Sequence, residues 1–480
     1  MSTTFPTPEQ LAAEQRKQAK YPEYRGVDSD YVHASEQGID KFLDRKFGLR
    51  IHWGPYCMFN FRESWGLPNA GHERHAEYEK RALSWNPQKF NADEWMAMMK
   101  NGGVQFFSFT TKHHDGFSMY DTKTRIRRRM GHEGADRGRI VDSDLAYSIM
   151  ETPFKRDVVR ELVDAGRRHD LGIGLYYSHI DWLDMDFRCD QWNPHLDNGY
   201  TPQNDPDGYA RMIARHREQL RELCANYGPL DVISLDMNLP DEKFGFTKDI
   251  IETVKMMRRL QPDALIRNRG IGAYGDHHTP ERKLPSEKEA GAVHYDQLNL
   301  AKMGRPWKAI YPGSINFSYM SYDEYKPGEW IIDNLVDATA KGGTFQVGYG
   351  PAPDGTFHAD VKNRFEYTGA WLRAYGEAIY ATRPFDTYQE GRHVRYTKSK
   401  DGKSVYAIFL RWPSGHFVVE SLKLAALAGK KVASVSLLGT DEKLKFKQDE
   451  NGVSTDIPAW FRDEEKRPSR KGAVLKFTLA

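Results

Sequence analysis

Between about residue 45 and residue 380, short apolar runs alternate with amphipathic stretches of helical period, and no other feature narrows the fold as much. Residues 47–53, 104–111, 171–177, 230–235, 264–267 and 344–347 read as strands. Residues 91–100, 155–169, 209–226, 247–260 and 330–341 read as helices between them. The first of these helices shows its ends: Asn91 as N-cap with Glu94 three residues on, and Gly102-Gly103 as the stop. In the second, Val159, Leu162, Val163 and Gly166 share one face. Repeated strand–helix units imply parallel strands, either in a (β/α) barrel or in an open doubly wound sheet. No glycine-rich dinucleotide or phosphate-binding turn follows any strand, which favours the barrel. Past Pro384 the texture changes to short strands at 404–410, 431–438 and 473–479 with polar turns between them. The expected fold is therefore α/β: an N-terminal extension over residues 1–40, a TIM-like (β/α) barrel over 41–384, and a small C-terminal β-sandwich over 385–480.

Composition removes several classes of function. A net charge of +2 offers no global attraction to nucleic acid or acidic membranes. No run approaches the roughly 20 apolar residues of a spanning helix. The basic run Arg125-Ile126-Arg127-Arg128-Arg129 has no companions and reads as a solvated loop. Cys57, Cys189 and Cys224 form neither a disulfide framework nor a C-x-x-C pair. Residues 1–20 are polar and lack the apolar core of a signal peptide, so the chain reads as cytoplasmic or as the mature form of a periplasmic or secreted protein. The 11 Trp, 25 Tyr and 24 Phe suit a sugar pocket, where a pyranose face stacks on a ring, but they suit a large core equally well.

A (β/α) barrel gathers its reactive groups at the C-terminal ends of the strands. His52-Trp53, Lys112-His113-His114-Asp115, Tyr176-Tyr177-Ser178-His179, Asp236 and Arg269 all fall there. Strand alternation turns Trp53 away from the side His52 faces, so Trp53 reads as core. One of Tyr176 and Tyr177 faces the barrel interior and the other the helices, and the pattern does not choose between them. Neighbouring residues on an extended segment point apart, so His113 and His114 do not suit one ion, and no H-E-x-x-H occurs. No metal and no cofactor is expected. A G-x-S-x-G nucleophile elbow is also missing from the sequence. Glycoside cleavage needs two carboxyl groups flanking the scissile bond. Asp236 ends a buried strand, and Glu281 closes the loop 275–281, though spacing alone does not separate it from Glu287, Glu289 or Asp276.

These motifs resemble glycoside hydrolase family 29, the α-L-fucosidases, over nearly the whole chain. Phe47-Gly48-Leu49-Arg50-Ile51-His52-Trp53-Gly54 looks like the family's F-G-x-F-x-H-W-G strand, and Thr111-Lys112-His113-His114-Asp115-Gly116-Phe117 like its T-x-K-H-H-D-G-F signature. Residues 90–100 resemble its F-x-A-x-x-W helix, and Lys155-Arg156-Asp157 with Gly174-Leu175-Tyr176-Tyr177-Ser178 its K-R-D and G-x-Y-Y-S pair. The run 342–356 is similar to its G-G-N-L-L-L-N-x-G-P-x-x-D-G-T. The resemblance implies a retaining exo-glycosidase that removes terminal α-L-fucosyl groups from oligosaccharides or glycoconjugates. Residues 230–236 match the family's I-D-x-x-W-x-D, which implies Asp236 as nucleophile; Thr279-Pro280-Glu281 implies Glu281 as acid/base. It further implies His52, His113 and His114 on the sugar hydroxyls, with Tyr177, Arg269 and Trp65 as additional pocket residues. A homo-oligomer is compatible with this reading. Two departures stand out: Ser234 replaces the usual Trp, and Thr344-Phe345-Gln346-Val347-Gly348 replaces N-L-L-L-N. The lost Trp leaves room for an α-L-galactoside as rival substrate. A catalytically silent fucose-binding protein is the rival of another class.

Overall fold

The computed structural model describes residues 24–195, 199–237, 246–285, 305–412 and 421–480. In chain order the larger part contains α1 (Glu36–Arg45), β1 (Phe47–Ile51), α2 (His72–Ser84), α3 (Ala92–Asn101), β2 (Phe106–Lys112), a hairpin of β3 (Ile126–Met130) and β4 (Ile140–Leu145), α4 (Val158–Arg168) and β5 (Gly172–Ser178). It continues with α5 (Pro206–Asn226), β6 (Val232–Asp236), α6 (Phe246–Leu260), β7 (Leu265–Ile266), β8 (Lys308–Pro312), α7 (Gly328–Ala340), β9 (Thr344–Tyr349) and α8 (Ala359–Tyr375). Seven strands form one curled parallel sheet in the order β7-β6-β5-β2-β1-β9-β8. Every residue of β1, β2, β5, β6 and β9 is buried, as befits strands packed on both faces.

The segment 277–281 lies between the two edges of this sheet. Single parallel bridges join Arg267 to His277, His278 to Trp307 and Glu281 to Ile310. The His278 carbonyl accepts from Lys308 N–H at 2.9 Å, and the Pro280 carbonyl accepts from Ile310 N–H at 3.0 Å. These bonds satisfy the edge groups of β8 and complete the TIM-like ring, so Glu281 sits on the barrel wall rather than in a loop. Its neighbour Asp276 anchors the segment: fully buried, it accepts from Ala34 N–H at 2.9 Å and Ile266 N–H at 2.7 Å and pairs with Arg258 and His33. That position makes Asp276 a structural carboxylate. Glu287 and Glu289 lie outside the described residues. Of the N-terminal residues, 24–45 pack on the barrel, with Tyr31 Oη donating to the Tyr274 carbonyl at 2.6 Å.

The helix ends follow local chemistry. Asn91 Oδ1 accepts from Glu94 N–H at 3.2 Å, and Asp157 caps α4 by accepting from Arg160 N–H at 2.8 Å. The arginine run expected as a solvated loop is instead β3 and its approach. Arg127 meets Asp144 at 2.6 Å, Arg128 pairs with Asp186 and Asp205, and Arg129 meets Glu79 at 3.1 Å. Carboxylates distant in the chain neutralise the run, which composition along the run does not register.

The C-terminal part comprises β10 (Thr382–Glu390), β11 (Val394–Ser399), β12 (Ser404–Phe409), β13 (Ser421–Leu424), β14 (Val432–Leu437), β15 (Lys443–Leu444), β16 (Phe446–Asp449), β17 (Gly452–Asp456) and β18 (Ala473–Leu479). Six of these form an antiparallel sheet in the order β10-β11-β12-β18-β14-β15, and β13-β17-β16 form a second. Leu424 and Val453 of the small sheet share a core with Val435 and Phe477 of the large one, a two-layer strand domain.

Candidate active site

Asp236 ends β6, two residues beyond Ser234, so both side chains face the barrel interior. Tyr176 Oη, from neighbouring β5, donates to Asp236 Oδ2 at 2.5 Å. Arg269 Nη1 lies 2.5 Å and Arg267 Nη1 3.2 Å from Oδ1. The same guanidinium groups reach Glu281: its Oε1 is 3.4 Å from Arg267 Nη2 and 3.6 Å from Arg269 Nη1. One nitrogen within reach of both carboxylates keeps their nearest oxygens within about 6 Å, a span that glycoside-cleaving pairs use. The Asp236 side chain is 11% exposed and that of Glu281 40%, so one forms the floor and the other stands at the mouth. Burial pushes the Asp236 carboxyl upward, but Arg269, Arg267 and His114, with the Tyr176 hydrogen bond, outweigh it and hold the group well below the usual carboxylate range. Asp236 is ionised at neutral pH.

Three imidazoles form the adjoining wall. Ring centroids lie 5.8 Å apart for His52 and His113, and 3.9 Å apart for His113 and His114. The last two do not diverge as an extended segment would make them, because β2 stops at Lys112 and the chain turns. Gly116 closes that turn at φ +83°, where a Cβ would also come 2.2 Å from Asp181 Oδ1. Ser64 Oγ lies 2.7 Å from His113 Nδ1, and Ser178 Oγ 2.7 Å from His114 Nδ1, which leaves Nε2 as the second hydrogen-bonding atom of each ring. Burial lowers all three pKa values, that of His114 to about 3, so the wall is neutral. Trp65 packs edge-on against His114 at 5.1 Å and meets Trp182 and Trp192 at 5.4 and 5.7 Å. Glu63, buried beside it, accepts from the backbone N–H groups of Phe317 and Ser318, and Phe317 stacks on His52 at 4.9 Å.

Tyr177, expected in the pocket, is not there. Its hydroxyl donates to Gln219 Oε1 on α5 at 2.9 Å, behind the strand, and Lys112 Nζ lies 4.5 Å from its ring. Alternation on β5 gives the interior position to Tyr176. Trp53 packs among Trp85, Phe90 and Trp95, as core. In the sequence Tyr176 stands undecided against Tyr177, and Arg267 goes unmarked. For Arg267 the signal was available: it stands two residues before Arg269 along an extended segment, hence on the same face. Ser178 lies in the G-x-Y-Y-S run without a sign of its role, and Ser64 and Phe317 carry no pattern that would mark them.

Comparison with known proteins identifies the family. Residues 11–377 match the family model of α-L-fucosidase, and residues 386–478 that of the α-L-fucosidase C-terminal domain. Human plasma α-L-fucosidase is 27% identical over 446 residues, covering 87% of this chain and 85% of its own. The structure of α-L-fucosidase isoenzyme 1 from Paenibacillus thiaminolyticus superposes with a TM-score of 0.74 at 27% identity, covering 93% of this chain and 99% of that one. A family 29 α-L-fucosidase from Bacteroides thetaiotaomicron, trapped as a covalent intermediate with 2-fluoro-fucosyl fluoride, shares the fold at a TM-score of 0.75 and 22% identity, covering 95% of this chain and 99% of that one. With both of its parts matched over most of their length, the chain belongs to the α-L-fucosidase family of glycoside hydrolases.

Proposed function

We propose that the chain is a retaining exo-α-L-fucosidase acting on fucosylated oligosaccharides or glycoconjugates, with Asp236 as nucleophile and Glu281 as general acid and base. The observation that carries this is the convergence of the two carboxylates on Arg267 and Arg269 beside the histidine wall. Asp236 attacks the anomeric carbon of the terminal sugar while Glu281 gives its proton to the departing oxygen, leaving a glycosyl ester on Asp236. Glu281 then takes a proton from water as that water attacks the same carbon, and the Asp236 carboxylate departs with the bonding pair. The ionised state of Asp236 suits the first step, and the covalent intermediate trapped in the Bacteroides enzyme supports it. His113 and His114, neutral and with Nδ1 already bonded to a serine, each turn Nε2 to a sugar hydroxyl as donor or acceptor according to tautomer, and neutral His52 adds a third such group. Trp65 offers an apolar surface at the pocket edge, and Arg269 holds the nucleophile in place.

Asp236→Ala is expected to abolish turnover of aryl and natural fucosides alike. Glu281→Ala should slow natural glycans by about 10²–10⁴-fold and spare aryl fucosides with good leaving groups. Proton NMR of the first product formed should show the α-anomer. Inversion, or turnover surviving in Asp236→Ala, overturns the assignment. Tight fucose binding without hydrolysis of any aryl glycoside would mark a silent binder instead. The α-L-galactoside rival rested on Ser234; that side chain is fully buried beneath Asp236 and adds no surface to the pocket. Nitrophenyl α-L-fucoside should therefore be the better substrate of the two, and the opposite preference would reassign the sugar.

A further inference from the structure

Away from the carboxylate pair, four imidazoles from three separate segments meet. His72 and His75 lie one turn apart on α2, His132 follows β3, and His195 belongs to the segment after β5. Ligand nitrogens of His75, His132 and His195 all fall within 4.8 Å of one another, and His72 Nδ1 is 3.0 Å from His132 Nδ1. The edge of a tetrahedral zinc site with nitrogen ligands at about 2.0–2.1 Å is about 3.3–3.4 Å, so small side-chain rotations bring the set to one ion.

The surroundings favour a cation over a hydrogen-bonded cluster. His75 Nε2 is buried without a hydrogen-bond partner, while the main chain of Leu67 engages the same ring. On His132 the nitrogen remote from His72, Nε2, lies 3.0 Å from Glu79 Oε1. A small rotation of either side chain turns that contact into the carboxylate–imidazole hydrogen bond that usually supports a metal-bound histidine.

We propose that His75, His132 and His195, with His72 as the fourth ligand, bind one divalent transition-metal ion, zinc being the best match to an all-imidazole tetrahedral set. A closed set of four protein ligands is structural rather than catalytic. It pins the segment bearing Trp182, Trp192 and His195 to α2 and to the β3–β4 hairpin, and those two tryptophans are the ones that pack on Trp65 beside His114. The metal thus braces the aromatic edge of the pocket from outside.

The test uses the full chain, purified without a histidine tag, stripped by chelator and titrated with cobalt(II). One equivalent should bind at micromolar concentration with the intense visible absorption of tetrahedral cobalt, and zinc should displace it one for one. His75→Ala and His195→Ala should lose the band, whereas Arg74→Ala, on the exposed side of the same helix, should keep it. Zinc should also raise the melting temperature of the stripped wild-type protein by several degrees, a readout that needs no variant to fold. Weak octahedral absorption, binding unchanged in both histidine variants, or a melting temperature indifferent to zinc overturns the proposal. None of these readouts involves fucoside turnover, so failure here leaves the glycosidase reading untouched.

Discussion

Asp236 is held by donors of two kinds, the Tyr176 phenol and the Arg267 and Arg269 guanidinium groups, and the distinction predicts how variants behave. Hydrogen bonds to charged groups contribute about 1.5–3 kcal/mol, so Tyr176→Phe should lower kcat/KM by about 10- to 100-fold in steady-state assays. Tyr177→Phe should leave kcat/KM nearly unchanged and lower the melting temperature instead, because it strands Gln219 Oε1 in the layer behind the strand. A second residue-scale prediction concerns acid. Burial lowers His114 to about 3 and His179 to about 4, below the ordinary value near 6.5. The unfolded chain takes up these protons first, so stability is intact above about pH 6.5 and falls as pH drops toward the folded values. By pH 5 each such histidine should cost about 2 kcal/mol, visible as a lower melting temperature at pH 5 than at pH 7. A flat profile over that range would contradict the neutral histidine wall. Asp236, Arg269, His52, His113 and His114 were legible because they fall at strand ends; Tyr176 was not singled out from Tyr177, since two adjacent tyrosines carry no mark of which faces inward.

At the level of elements, the acid/base candidate depends on a short piece of barrel wall rather than on a regular strand. His277 to Glu281 lacks an apolar run and reads as loop, but the open edges of β7 and β8 recruit it by backbone pairing. Arg258, buried against Asp276, holds the start of that segment. Arg258→Met should cost about 3–5 kcal/mol by taking the guanidinium away from a buried carboxylate. The same variant should lose more activity on natural glycans than on activated aryl fucosides, the signature of a displaced acid. Equal losses on both would mean that Glu281 does not depend on this anchor. The β3 arginines teach the same lesson from the opposite side: a charge run reads as solvated until Asp144, Asp186, Asp205 and Glu79 arrive from elsewhere in the chain. The four histidines of the proposed metal site are hidden likewise, since only His72 and His75 are close in sequence.

For the whole molecule, the strand domain and the barrel share a continuous core. Tyr406, Ile408, Leu410 and Val474 pack in one cluster with Trp371, Tyr375 and Ile379. Trp371 Nε1 donates to the Lys471 carbonyl at 2.9 Å, and Arg395 pairs with Asp337 of α7 at 2.6 Å. A chain ended at Ala381 would expose Trp371, Tyr375 and Ile379 together, and it should aggregate in size-exclusion chromatography although, among the described residues, the ion-pair and hydrogen-bond partners of Asp236 and Glu281 all come from the barrel. Read alone, the sequence determined the strand–helix alternation, the change of texture near Pro384 and the gathering of polar and charged residues at strand ends, because each is written in the period or order of neighbouring side chains. The tertiary structure alone decided that Tyr176 rather than Tyr177 meets Asp236, that Glu281 lies on the wall, and that four histidines converge. Those facts depend on side-chain direction at a closed ring and on pairing between segments far apart in the chain, which local periodicity does not encode.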